Sequence, residues 1–469
     1  MNMAEIDTTA LPKKSSHIPS WLDVQYNETG EISKTTVNVE RLAEFVVKET
    51  HFYTDNNNLA GYLFNGQYWK RYKNVKQADN ALSSRVATLL KQNKKLTSAK
   101  QVKNIVDLIR VITVQDLADY IDFTDKPYMV SFTNGTLDMR TLEIKPNAPQ
   151  YHALGGLDYP VSDKDLPTPK TDEFFTRLLG DENAELLYKF IGYGFKRNYL
   201  PFQNFVILYG KGGNGKGTAL TYIGQKLYSD NVSELSLQAF GDKFKTVGLV
   251  GKYANIGSDI PANYMPNTES LKLAVSGKEK FEVESKGVQA FSIVNYATLF
   301  FSANDLPNIR RDSGLDRRPL VLTTQGKGFT NADGKSDLFD ESELLDERPA
   351  FTRKVIKLFM DAERARTLNI PKNVQEATAK WLKNADIVSQ WIDEHIVEAE
   401  GRRPTAKGLY YEFQRDIKDM GMQENINRNT FYARMESLDI RSSKSTTISS
   451  LDDEQGKATK RFLDIKYVE

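Results

Sequence analysis

Short apolar runs bounded by turn residues alternate along this chain with stretches whose apolar residues recur at helical spacing, a mixture that predicts an α/β architecture. Residues 1–35 are polar and irregular and predict a loosely held arm. From Val37 the pattern turns globular, with Leu42, Phe45 and Val46 at helical spacing. Residues 62–69 read as a hairpin turning on Asn65-Gly66 and residues 130–139 as a second on Asn134-Gly135, with mostly helical residues 76–120 between them. A proline-rich connector, Tyr159-Pro160 through Pro167-Thr168-Pro169, closes this first unit. Two amphipathic helices follow, one carrying Phe174, Phe175, Leu178 and Leu179, the next Leu186, Leu187, Phe190 and Ile191. Residues 205–325 read as an α/β core, 325–345 as a Gly/Asp/Ser-rich loop and 350–398 as helical. The expected segments are an arm (1–35), an α+β domain (36–170), the core with its leading helices (171–345), a helical lid or linker (346–400) and a C-terminal domain (401–469).

The most informative stretch is the apolar strand at residues 205–209, which runs into Gly210-Lys211-Gly212-Gly213-Asn214-Gly215-Lys216-Gly217-Thr218 and then a helical segment. That strand–loop–helix context is what a P-loop requires. Glycines let successive backbone N–H groups turn toward phosphates, and the helix N-terminus adds partial positive charge. Residues 210–218 are therefore expected to bind a nucleoside triphosphate, ATP, with Lys216 on its β- and γ-phosphates. A plain glycine-rich turn is the competing reading. One position departs from the pattern: the residue after the lysine, normally a Ser or Thr that ligates Mg²⁺, is Gly217. Either Thr218 takes over the hydroxyl role or water fills that place.

Further chemistry is spaced downstream. Residues 253–259 read as a short strand ending in Asp259, an acid that could hold Mg²⁺ or orient water, or else cap a helix. Residues 297–307 form an apolar strand ending in Asn304, whose amide could sense the γ-phosphate; a strand-ending Asn-Asp turn is the bland alternative. Arg317-Arg318 then open another apolar strand. An arginine offered across a subunit boundary can stabilise transition-state charge, whereas a surface ion pair is the default.

In this order and spacing, the glycine loop with Lys216, the strand ending in Asp259, the strand ending in Asn304 and Arg317-Arg318, all within residues 210–318, resemble a superfamily 3 AAA+ helicase. Asn134-Gly135-Thr136-Leu137-Asp138 and Gly192-Tyr193-Gly194 are similar to the helicase half of phage, plasmid and poxvirus-type primase-helicases. The resemblance spans about residues 40–469. It implies an ATP-dependent, hexameric 3′–5′ DNA helicase acting as replication initiator (Rep) of a phage or phage-inducible chromosomal island, with residues 36–170 serving oligomerisation. It further implies a DNA-tracking hairpin before the sensor strand. Residues 280–290 fit that hairpin, with Lys280 at its base and Lys286-Gly287 at its tip, where a lysine would grip single-stranded DNA in a ring channel. Ser258-Asp259 carries one acid at a position where members often show Ser-Glu. No polymerising domain is read ahead of residue 36, so the chain is expected to unwind but not prime, with a separate primase as a candidate partner. An AAA+ switch that uses ATP for assembly without translocating is the alternative, and Gly217 favours it.

The last unit reads as helix, helix and a two-stranded ribbon: residues 404–420, 427–435, then strands at 439–444 and 461–467. That is the outline of a winged helix, with Arg428, Asn429, Tyr432 and Arg434 facing a DNA groove. The resemblance makes it the reader of a duplex origin; a small lid with no DNA contact is the other reading. Composition narrows the rest. Cysteine is absent, which excludes disulfides, zinc ribbons and thiol chemistry, and four histidines leave little for a histidine metal site. The net charge of +1 confines nucleic-acid binding to local patches. No apolar run reaches the ~18 residues of a membrane span and no secretory leader opens the chain, so the host cytosol is the expected compartment.

Overall fold

A computed structural model describes residues 18–55, 61–72, 75–115, 123–229, 231–261, 265, 268–285, 288–307, 309, 313–325, 341–385, 387–419, 426–438, 440–445 and 459–468. The chain divides into two units, Met1–Asp122 and Phe123–Glu469.

In the first unit, β1 (Leu22–Tyr26) and β2 (Ile32–Val37) form an antiparallel pair ahead of α1 (Val39–Thr50). This corrects the expectation of a loose arm over residues 18–35. Trp21 and Leu22 are buried, and Leu22, Val24 and Tyr26 alternate with polar residues along β1, the strand signal of this stretch; β2 is largely exposed and carries no such alternation. Asn38 caps α1 through the Arg41 N–H, and Leu42, Ala43 and Val46 turn inward. Strands β3 (Tyr53–Asp55), β4 (Gly61–Phe64), β5 (Trp69–Tyr72) and β6 (Val114–Gln115) make a sheet in the order β5-β4-β3-β6. Helices α2 (Val75–Gln92) and α3 (Ala99–Thr113) supply Leu82, Val86, Ile105 and Ile109 to the same core.

The second unit opens on β7 (Met129–Phe132), β8 (Gly135–Asp138) and β9 (Glu143–Lys145), a three-stranded antiparallel sheet that contains the expected Asn134-Gly135 hairpin. Val130, Phe132 and Leu137 share a core with the strands further along, so this hairpin belongs to the second unit and not to one closed by the proline-rich connector. Helices α4 (Pro169–Leu179) and α5 (Asp181–Gly194) lead into β10 (Phe205–Tyr209) and α6 (Lys216–Thr221). The chain then adds β11 (Val232–Ser233), α7 (Lys243–Thr246), β12 (Ala254–Gly257), α8 (Glu269–Ala274), a hairpin of β13 (Phe281–Ser285) and β14 (Val288–Ile293), β15 (Thr298–Ala303), α9 (Ser313–Asp316) and β16 (Pro319–Thr323).

Five of these strands form one parallel sheet in the order β11-β12-β15-β10-β16. Its central strands are buried on both faces, which explains their continuous apolar runs. Helix α10 (Glu341–Ala365) packs on α5, where a Cβ at Gly192 would stand 2.0 Å from the Val355 carbonyl oxygen. Helix α11 (Lys372–Asn384) covers the sheet edge, with Thr378 accepting the Val321 N–H at 3.0 Å.

A separate cluster begins at α12 (Ile387–His395) and β17 (Ile396–Glu398) and continues through α13 (Ala406–Asp419), α14 (Arg428–Ser437), β18 (Ser442–Ser445), β19 (Thr459–Phe462) and β20 (Ile465–Tyr467). Trp391, Phe413, Phe431, Met435 and Phe462 fill it, so α12 packs with the C-terminal residues although the sequence reading placed it in the lid. The expected strand at 461–467 is broken in two at Asp464. This residue takes a left-handed backbone (φ 57°) and ties the turn to the Gly401 N–H through its carboxylate.

Candidate functional site

Parallel α/β sheets offer their ligand sites at the carboxyl ends of the strands. Here β12, β15, β10 and β16 are consecutive neighbours, and each ends on a residue or loop of the candidate site. Strand β10 delivers the glycine loop. Gly213 and Gly215 take left-handed backbone (φ 77° and 90°), which favours glycine. Gly210 is needed for another reason: a Cβ there would lie 2.0 Å from Thr324 Oγ1 and 2.8 Å from Asn214 Nδ2. Lys211, Gly212 and Gly213 are exposed, whereas Asn214 is buried and donates to Thr324 Oγ1 just beyond β16.

Lys216 opens α6 and is 4% exposed. Its ammonium donates to the carbonyl oxygens of Gly210 at 2.6 Å and Lys211 at 2.9 Å, to Asn214 Oδ1 at 3.2 Å and to Asn304 Oδ1 at 3.0 Å. Burial pushes the Lys216 ammonium below the usual lysine range, opposed by the negative charge of Asp259. Asp259 itself is exposed beyond β12 and takes a left-handed backbone (φ 47°), a strained conformation for a non-glycine residue. Its N–H donates to the buried Ser302 Oγ at 3.0 Å, so the neighbouring strand β15 holds this turn.

The structure thus brings Lys216, Asn214, Asn304 and Asp259 together at one edge of the sheet. Ser302 and Thr324 join them, and neither is marked in the sequence. Each sits at the end of an apolar run, but their importance depends on which strands are neighbours. Gly217 and Thr218 are both exposed on α6. Among the described residues no group of three or more His, Cys, Asp or Glu could hold a metal ion.

Arg317 and Arg318 lie elsewhere. They precede β16, at the opposite edge of the sheet from their own glycine loop, separated from it by a strand of roughly 16 Å at about 3.3 Å per residue. Arg317 is exposed; Arg318 is 7% exposed and donates to the Gly314 carbonyl. The Asn204 amide pins the backbone of both, donating to the Arg317 oxygen at 2.8 Å and to the Arg318 oxygen at 3.2 Å.

The expected hairpin is present as β13 and β14, anchored by buried Phe281 and Val283, with Lys280 exposed at its base. Lys286, expected at its tip, lies outside the described residues. In α14, Arg428 and Asn429 are exposed, while Arg434 and Tyr432 are partly buried. The Tyr432 ring packs against the β18–β19 ribbon: the Lys460 ammonium sits 5.4 Å from its centroid and the Phe462 ring centroid 6.2 Å away.

Fold and site together define an α/β protein whose parallel sheet carries a P-loop-like centre at its carboxyl edge. Residues 208–318 match a family of unknown function (DUF5906), and residues 40–180 match a family described as D5 N terminal like. No curated protein matches the chain. Among solved structures it is similar to the A form apo structure of the NrS-1 C terminal region, with a TM-score of 0.50 and 13% identity over 90% of this chain and 98% of that one. Another apo structure of the same region gives a TM-score of 0.48 and 15% identity over 91% and 98%. The first of these shares the fold. No described helix is long and apolar enough to cross a membrane.

Proposed function

We propose that this protein is an ATP-hydrolysing DNA helicase of the superfamily 3 AAA+ type, working as a ring-forming replication initiator for a phage or phage-satellite element. The observation that carries the reading is the convergence on Lys216 of the glycine loop, Asn214 and Asn304 from adjacent strand ends. Such a centre can take the phosphates of a nucleotide between backbone N–H groups and one ammonium. Asn304 is positioned to exchange its lysine partner for a γ-phosphate or an attacking water, and Asp259 to orient that water.

Other features support the finer parts. The D5 N terminal like match and the shared fold favour kinship with phage-type primase-helicases. Arg317 stands exposed at the far end of β16 from its own glycine loop, which supports a finger offered to a neighbouring subunit. The β13–β14 hairpin immediately precedes the Asn304 strand. The order helix, strand, helix, helix, ribbon from α12 to β19 supports a winged helix, with Arg428 and Asn429 on the surface available to duplex DNA.

Unwinding of a 3′-tailed DNA fork tests the reading. Strand separation should require ATP and vanish with Lys216→Ala. Hydrolysis that DNA stimulates without strand separation would favour an assembly switch. Turnover by Lys216→Ala near the wild-type rate would defeat the nucleotide site itself.

A further inference from the structure

In a P-loop the residue after the lysine normally gives Mg²⁺ a hydroxyl ligand. Here that residue is Gly217, and among the described residues nothing requires a glycine at this position. It is the second residue of α6, is absent from the left-handed positions, and a Cβ built on it meets none of the described residues within 4 Å. Gly210 is the contrast, because there the neighbouring atoms forbid a side chain. A glycine is also a poorer helix former than alanine or serine. Position 217 therefore forgoes a side chain that would fit and would steady the helix.

Thr218 does not replace it in kind. It is rotated by about 100° around the helix from position 217, at 3.6 residues per turn. What remains strong is the metal-free part of the grip: a buried ammonium at Lys216 and the glycine-loop backbone.

We propose that this site binds nucleotide almost independently of Mg²⁺, and that the missing hydroxyl at Gly217 is the cause. The inference rests on the nucleotide reading above. The metal then rides on the nucleotide's phosphates and water, with no hydroxyl of the loop helix tying it to the protein.

The test titrates a fluorescent ADP analogue into the full chain, in Mg²⁺ and again in EDTA. For the wild type the two affinities should agree within about threefold, a small free-energy difference. Gly217→Ser should bind about tenfold tighter in Mg²⁺ than in EDTA, the scale on which metal affinity responds to its protein partners. Gly217→Ala adds the Cβ without the hydroxyl and should follow the wild type, which separates metal ligation from helix stiffening. A tenfold loss of wild-type affinity on chelation overturns the proposal, and its disappearance in Thr218→Ala would assign the ligand to that hydroxyl. A Gly217→Ser protein that binds but shows no metal response also overturns it. Absence of wild-type binding in both buffers removes the nucleotide reading as a whole, an outcome distinct from either of these.

Discussion

The Lys216 ammonium and the Asn304 amide oxygen stand 3.0 Å apart, joining the glycine loop after β10 to the end of β15. Charge at position 304 should therefore tune nucleotide affinity directly. Asn304→Asp places an anion where a phosphate must compete for the lysine, and ADP affinity should fall about tenfold, near 1.4 kcal/mol. Asn304→Ala should leave binding intact and slow hydrolysis. Equal affinities for the two variants in a binding titration would show that Lys216 does not meet the phosphates.

The depressed pKa of Lys216 gives the site a pH dependence of defined sign. Desolvation favours the neutral amine in the free protein, whereas a bound phosphate favours the ammonium. Affinity should be full below the free-protein pKa and decline as pH rises through it toward the ordinary lysine range, with proton uptake on binding. Calorimetric titrations in buffers of different ionisation heat measure that uptake. Affinity that stays flat into the alkaline range would contradict it.

The two arginines should separate cleanly. Arg318 is buried, so Arg318→Ala should lower the stability of the core by about 1–3 kcal/mol through lost hydrogen bonding. Arg317→Ala should leave the unfolding midpoint unchanged and cut hydrolysis on the order of 10³-fold, as loss of an arginine finger does. Mixing Arg317→Ala with Lys216→Ala subunits should restore turnover, because each supplies what the other lacks. No rescue at any ratio would place Arg317 outside a shared site.

Thr324 should matter as much as a loop residue. Thr324→Val keeps the shape but removes the acceptor of the buried Asn214 amide, at a cost of about 1–3 kcal/mol. Nucleotide affinity should fall with it, since Asn214 also accepts from Lys216. A thermal shift without an affinity change would confine Thr324 to stability.

Duplex binding should depend on residues after Ala385. A chain ending at Ala385 removes the whole C-terminal core and should keep ATPase activity while losing origin preference. A chain ending at residue 400 leaves Trp391 without Phe413 and Phe431 beside it and should aggregate. Unchanged footprints on duplex DNA from the shorter chain would end the case for a recognition domain.

Much of this centre is legible in the sequence because its parts are local: a strand, a glycine loop and a lysine are contiguous in the chain. Asn304 and Asp259 could be proposed because each closes an apolar run. Ser302 and Thr324 could not, since their roles come from strand adjacency, which depends on crossovers that no local pattern encodes. The β1–β2 ribbon is half legible: Leu22, Val24 and Tyr26 alternate along β1, whereas the exposed, mostly polar β2 carries no pattern. The boundary before α12 was hidden because a helix facing the lid and one facing the C-terminal core have the same periodicity.

The meeting of α5 and α10 at Gly192 bears on how this part of the protein can move. With a backbone carbonyl seated where a side chain would be, and the Tyr193 and Phe359 rings stacked 4.9 Å apart, one helix is keyed into the other. Sliding would drive the carbonyl into the helix wall, so residues 181–194 and 341–365 behave as a single beam beneath the sheet. Any relative motion of the surrounding elements must bend the chain at other joints, and the turn at Arg366, where the backbone goes left-handed as α10 ends, is the first one after this beam.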